Sequence, residues 1–276
     1  MNDRWGISID IEGFSTNFEN SEDRKTYAIL AIGELMSAIY RIGSCYYPGT
    51  PENNFCERLF AHQFGDGFLV CSDFHEPDVS RAIAIAVALM RHMTLNGYAA
   101  KSAISTGDLS DINGCYPQPM RSAPEDRLDM GMGLMTIISV MGTALTKAHK
   151  LGGGAKGAVL VVDKHLMEKG LPEGIKICHP SGNCIDWISS NLPLADEIAQ
   201  RSQLSLASTD ELCAKLKAYC GAEPVPPSSW IKATLGGVSC NGEKQSAVVA
   251  PSGLGWPFRR LAATVLAKAR RYIRIR

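Results

Sequence analysis

Apolar and polar positions alternate from Trp5 to Ile11 in a segment rich in β-formers, which predicts a first strand, broken by Gly13 and Phe14. From 22 to 42 the period lengthens. Tyr27, Leu30, Ala31, Leu35, Ile39 and Ile42 recur at helical spacing and predict a helix. Residues 43–57 hold Pro48, Gly49, Pro51 and two asparagines, which predicts a loop. Leu59 to Phe64 and Phe68 to Cys71 are short apolar runs around Gly65-Asp66-Gly67, the pattern of a hairpin. Ser80 to Asn96 predicts a helix ended near Gly97, and Lys101 to Thr106 a strand stopped by Gly107. Residues 108–128 show no period. Residues 131–150 predict another long apolar helix, ended by Gly152-Gly153-Gly154. Gly157 to Val162 predicts a strand, and Ile175 to Cys178 with Cys184 to Ile188 a second hairpin.

The resulting order, β-α-β-β-α-β followed by α-β and a hairpin, predicts an α+β fold whose first six elements form a ferredoxin-like unit. The character changes near residue 191, so 1–190 are expected to form one domain and 191–276 a C-terminal extension. The extension has a helix-like stretch (Leu194 to Tyr219), the run EPVPPSSW, a Gly/Ser-rich stretch and a basic amphipathic end, Arg259 to Arg276. That end suits a solvated helix face or contact with a membrane or partner. There is no internal repeat.

The chain has 276 residues, 45% hydrophobic and 20% charged, enough to bury a sizeable core. Lys+Arg and Asp+Glu both number 28, so no global field attracts nucleic acid or an anionic membrane, and any phosphate binding must be local. Nine cysteines, without a CxxC pair or a secretory start, lead to the expectation of reduced thiols in a cytoplasmic protein. The apolar run Ala82 to Met90 falls well short of the ~20 residues of a membrane helix.

Asp10 lies in SIDIEGFS at the end of the first strand, and Asp66 at the hairpin tip FGDGF. In a β-α-β-β unit the first strand neighbours the hairpin, so the two carboxylates can meet at one sheet edge. Carboxylates so placed can hold divalent ions for an in-line phosphoryl displacement. Gly65 and Gly67 allow a tight turn and close backbone approach to phosphates. Alone, Asp-Gly is also an ordinary hairpin turn.

Four segments together carry a resemblance. SIDIEGFS resembles the D-I-x-G-F-[ST] motif of class III adenylyl and guanylyl cyclases, and FGDGFLV their I-G-D-[GA] hairpin. AISTG is similar to their G-I-H-T-G strand, and GTALTKAHKL to G-x-x-V-N-x-A-A-R-L. They occur in the family's order over residues 5 to 190. The resemblance implies a cyclase homology domain that closes a nucleoside triphosphate into its 3′,5′-cyclic monophosphate with two divalent cations, Mn²⁺ or Mg²⁺. It implies that Asp10, Asp66 and the Ile11 carbonyl hold the metals, and that Glu12 to Ser15, including Phe14 and Ser15, offer backbone N–H groups to the phosphates. It further implies a homodimer with sites at the interface.

The departures narrow the reading. Thr146 stands at the family's ribose-orienting Asn and Lys150 at its transition-state Arg, a point charge in place of a planar fork. Arg121 and Arg127 are alternatives for that role, or solvated loop charges. Lys176 and His179 are the nearest options for the late phosphate-binding Lys. The base-reading positions hold His62 and Ser139, neither of the usual purine pairs. This pattern resembles the bacterial Pycsar pyrimidine cyclases, which make cyclic UMP or CMP in antiphage defence for a separate effector. Phe60, Phe64 and His62 would narrow the pocket for the smaller ring, or be plain core and strand residues. Tyr46 and Tyr47 either edge that pocket or cover the sheet.

The rival readings are a purine cyclase and a catalytically inactive cyclase-like binding module. Cys178, His179 and Cys184 fit no usual zinc spacing. Cys213 and Cys220, and Met130, Met132, Met135 and Met141, read as helix packing.

Overall fold

In a computed structural model, the described residues are 4–14, 22–46, 59–72, 78–111, 115, 116, 118, 127–130, 133–136, 140–178, 182–222 and 225–240. The first strand, β1 (Arg4–Ile11), leads to α1 (Glu22–Arg41) and a π-helical turn, Ile42–Tyr46. The hairpin β2 (Leu59–Phe64) and β3 (Gly67–Ser72) follows, then α2 (Ser80–Leu95) and β4 (Ala100–Gly107). The four strands among these six elements pair in the spatial order β4-β1-β3-β2, with β1 antiparallel to both β3 and β4. That is the expected ferredoxin-like unit of an α+β fold.

Short pairs interrupt the chain after β4. β5 (Ser110–Asp111) pairs with β8 (Val140–Met141), and β6 (Arg127–Met130) with β7 (Gly133–Thr136). Then come α3 (Thr143–Gly154), β9 (Leu160–Val162) and α4 (Lys164–Lys169). The hairpin β10 (Ile177–Cys178) and β11 (Cys184–Ile185) completes a seven-stranded sheet, β10-β11-β9-β4-β1-β3-β2. Helices α5 (Pro193–Arg201), α6 (Thr209–Cys220) and α7 (Ser228–Gly236) follow.

Three expectations are corrected. The helix predicted over 131–150 begins only at Thr143, and 133–136 is a strand. A Cβ at Gly142 would run into the Asp108 carbonyl, so α3 starts where the chain passes tightly over that residue. The helix-like stretch 194–219 is two helices, separated at Ser202–Ser208, where Gln203 has φ +54°. Cys213 and Cys240 form a disulfide, with Cα atoms 5.5 Å apart, where reduced thiols were expected. The return of α7 brings residue 240 back to α6, a juxtaposition that sequence spacing does not reveal.

The sheet has two unlike faces. On one, Trp5, Ile7, Ile9 and Ile11 of β1 join Ile83, Val87 and Met90 of α2 in the main core. Ile198, Leu212 and Leu216 of α5 and α6 belong to the same core. Arg91 of α2 donates to the carbonyls of Trp187, Ile188 and Ser190 and to Asp196 of α5, tying this layer together. On the other face α3 lies so close that a Cβ at Gly6 would stand 2.8 Å from the Ala144 carbonyl oxygen. Arg24–Cys45 is long and apolar enough to cross a membrane; its most apolar 18-residue stretch has mean hydropathy 1.3, and 33% of that stretch is buried in the protein.

Candidate active site

Side chains alternate along β1. With Ile7, Ile9 and Ile11 in the core, Gly6, Ser8 and Asp10 point to the α3 face. Gly6 sits under Ala144 and Ser8 beside Gly152, so Asp10 emerges at the C-terminal end of α3, where the helix no longer covers the sheet. The strand register puts Asp10 between Gly67 of β3 and Lys101 of β4. A Cβ at Gly67 would stand 2.6 Å from the Asp10 Cβ, so glycine is required for this pairing.

Asp66 reaches the same edge from the hairpin. Phe64 pairs with Gly67, leaving Gly65-Asp66 as a two-residue turn with Gly65 at φ +61°. That left-handed first position is the geometry a II′ hairpin turn demands. The Ile11 N–H donates to the Asp66 carbonyl at 3.3 Å, fixing the tip to the end of β1. A cleft of about 150 Å³ opens there, lined by Ser8, Asp10, Phe64, Asp66, Leu69 and His149 among others.

The electrostatics of this edge are unusual. Burial raises the Asp10 carboxyl from 3.8 to about 7; Lys101 pulls it down, while Asp66 and Glu12 push it up. Glu12, 4% exposed, is also raised by burial, against the pull of Lys101 and a hydrogen bond from the Gly157 backbone. The Lys101 Nζ lies 3.5 Å from Asp10 Oδ2 and 3.9 Å from Glu12 Oε2. Asp10 Oδ1 is buried and, among the described residues, receives no hydrogen bond. An orphaned carboxylate oxygen beside a second carboxylate at a turn is a donor set that suits a hard divalent cation. Among the described residues no group of three or more His, Cys, Asp or Glu could hold a metal, so backbone, phosphate or water oxygens would have to complete the coordination.

The other sequence-predicted residues fall in three groups. His62 and Phe64 lie along β2; Phe64 lines the cleft and His62 does not. His62 is parallel to Phe60 at 6.4 Å, and Phe64, half exposed, meets His149 edge-on at 4.8 Å. Thr146 and Lys150 are exposed on α3 and do not line the cleft; the Thr146 hydroxyl donates to the Thr143 carbonyl. Phe14 packs against the main core, and the Glu12 N–H is committed to the Ala99 carbonyl at 2.9 Å, leaving that amide unavailable to phosphate. Ser15, Ser139, Tyr47, Arg121 and His179 lie outside the described residues, as do the side chains of Tyr46 and Arg127. Lys176 is described, but it does not line the cleft.

Sequence reasoning named Glu12 only for its backbone N–H and missed its carboxylate, Lys101 and His149. Glu12 had a signal, since it follows Asp10 by two. Lys101 had none without the strand register, and His149 none without the contact to the hairpin.

No family model matches the chain, and no curated protein matches it. Among solved structures it is similar to a bacterial light-regulated adenylyl cyclase at 12% identity and TM-score 0.38, covering 72% of this chain and 56% of that one. It is also similar to a class III adenylyl cyclase-like ATP-binding protein from Pseudomonas aeruginosa, at 11% identity and TM-score 0.40, covering 80% of this chain and 44% of that one. The chain thus spans about half the length of the solved structures it matches. The fold described above rests on the strand register, not on these matches.

Proposed function

We propose that this chain is a nucleotide cyclase that converts a nucleoside triphosphate, UTP or CTP, into its 3′,5′-cyclic monophosphate and pyrophosphate. The observation that carries the reading is the β1–hairpin register, which brings Asp10 and Asp66 to one cleft at the open edge of a ferredoxin-like sheet. In this reading Asp10 and Asp66 hold the divalent metal. The bound cation would lower the pKa of the ribose 3′-hydroxyl and offset the triphosphate charge. The 3′-oxygen attacks the α-phosphorus in line, its proton leaves to solvent, and the α–β bridging bond breaks as pyrophosphate departs. In this reading Phe64, which lines the cleft, and His62 on the same strand would face the base and narrow the space for a pyrimidine. Lys150 and Thr146, exposed on α3 and not lining the cleft, would serve the site of a second copy, making the enzyme a homodimer. The product would act on a separate effector.

The test is product analysis by mass spectrometry after incubation with ATP, GTP, CTP and UTP separately in Mn²⁺. Cyclic UMP or cyclic CMP, absent with Asp66→Ala, is the expected result. Cyclic AMP or GMP would overturn the pyrimidine assignment and keep the chemistry. No cyclic product from any of the four would favour a nucleotide-binding module.

A further inference from the structure

Lys101 is not a loose surface lysine. Its backbone is paired directly with Asp10 in the β1–β4 ladder, so its position is set by the sheet. Its side chain is 19% exposed, and its ammonium lies between Asp10 Oδ2 and Glu12 Oε2 at 3.5 and 3.9 Å. Glu12 is itself anchored: its side chain is 2% exposed and accepts from the Gly157 backbone. A Cβ at Gly157 would meet the Trp230 carbonyl and the Thr234 hydroxyl, so α7 closes over this support. The lysine is thus held by a buried carboxyl group that does not line the cleft.

The two oxygens of Asp10 are therefore unequal. Oδ2 already faces a cation, while Oδ1 is buried with no hydrogen-bond donor among the described residues. Where a carboxylate bridges two divalent ions through both of its oxygens, each ion takes one. An ion on Oδ2 would stand within a few ångströms of the ammonium, in a setting that screens poorly. We infer that Lys101 is the resident second cation of this centre, so that Asp10 and Asp66 hold one divalent ion where a two-metal centre would hold two. The inference rests on the proposed cyclase reading for the use of that ion, but the count itself is a property of Asp10, Glu12 and Lys101.

Lys101 is a positioning residue for Asp10, and its test is a stoichiometry rather than a rate. The intact chain is titrated with Mn²⁺ alone, and free Mn²⁺ is counted by electron paramagnetic resonance. One ion per chain is expected for the wild type, lost in Asp10→Asn. Lys101→Arg, which keeps the charge, should also bind one; Lys101→Met should bind two. Two ions on the wild type overturn the inference and leave the cyclase reading standing. One ion on both wild type and Lys101→Met overturns it too, because the ammonium then displaces nothing. No bound Mn²⁺ on the wild type overturns both the inference and the metal-dependent reading. Should Lys101→Met fail to fold, Lys101→Gln takes its place, with two ions expected and a count of one overturning the inference.

Discussion

One strand serves two chemistries. Toward α2, β1 contributes Trp5, Ile7, Ile9 and Ile11, each no more than 3% exposed. Toward α3 the same eight residues contribute Gly6, Ser8 and Asp10, and the surface stays partly open. The first face gains from every methylene it hides. The second gives up packing: glycines let α3 approach, and a carboxylate is desolvated without a full set of partners. The period of two lets a single strand stabilise the protein with one set of side chains and hold charge in a semi-buried cleft with the other. Charge there raises the free energy of folding, and the apolar face must offset it.

The comparison breaks if activity and stability do not separate by face. Asp66→Ala should lower cyclic-nucleotide formation by about a thousandfold, roughly 4 kcal/mol of transition-state stabilisation, with little change in the urea midpoint. Leu89→Ala, at a fully buried position of α2, should do the reverse. It is expected to cost about 2–5 kcal/mol of stability by denaturant titration and leave turnover per folded molecule unchanged.

A smaller effect probes where the faces meet. Gly6→Ala drives a methyl to 2.8 Å from the Ala144 carbonyl oxygen, so α3 must lift. The expected loss is about 1–3 kcal/mol together with reduced activity, because α3 borders the cleft through His149. Unchanged stability would mean that the helix is not seated on the sheet.

The smallest effect is a pH dependence of opposite sign on the two sides, read from urea midpoints in EDTA. His92 on α2 is lowered by burial; its Nδ1 accepts from the Ser205 N–H at 3.0 Å while Nε2 faces Glu34 at 2.8 Å. Below the unfolded value of about 6.5 the unfolded state binds more protons, so His92 makes stability fall as pH falls from there. Asp10 is raised to about 7, so between about 3.9 and 7 the folded state binds more protons. Its contribution is complete at low pH and is lost as pH rises through 7. His92→Gln should flatten the acid-side loss and Asp10→Asn should flatten the neutral-side loss; matching slopes in both variants would refute the contrast.

Legibility in the sequence follows the same division. β1, the hairpin, α2 and β4 were readable because their core faces repeat at clean periods of two or 3.6. The stretch before α3 was not: GMGLMTIISVMG is apolar apart from Thr136 and Ser139, and such a run suits strand and helix alike. Asp10 and Asp66 stood out because glycines and strand ends mark them. Lys101 looked like any strand lysine, since 91 positions separate it from Asp10 and only the ladder joins them. The Cys213–Cys240 bond was hidden for the same reason.

That separation also bears on how the chain is made. Asp10, Glu12 and Asp66 emerge from synthesis well before Lys101, and β1 can pair with β3 while β4 is still missing. The half-built sheet then carries an acidic rim with no internal counter-charge. Pairing of β4 with β1 spans more sequence than pairing of β3 with β1, and it is the step that brings the ammonium to that rim. Until it occurs, the nascent sheet edge is open to any cation that the surrounding solution supplies.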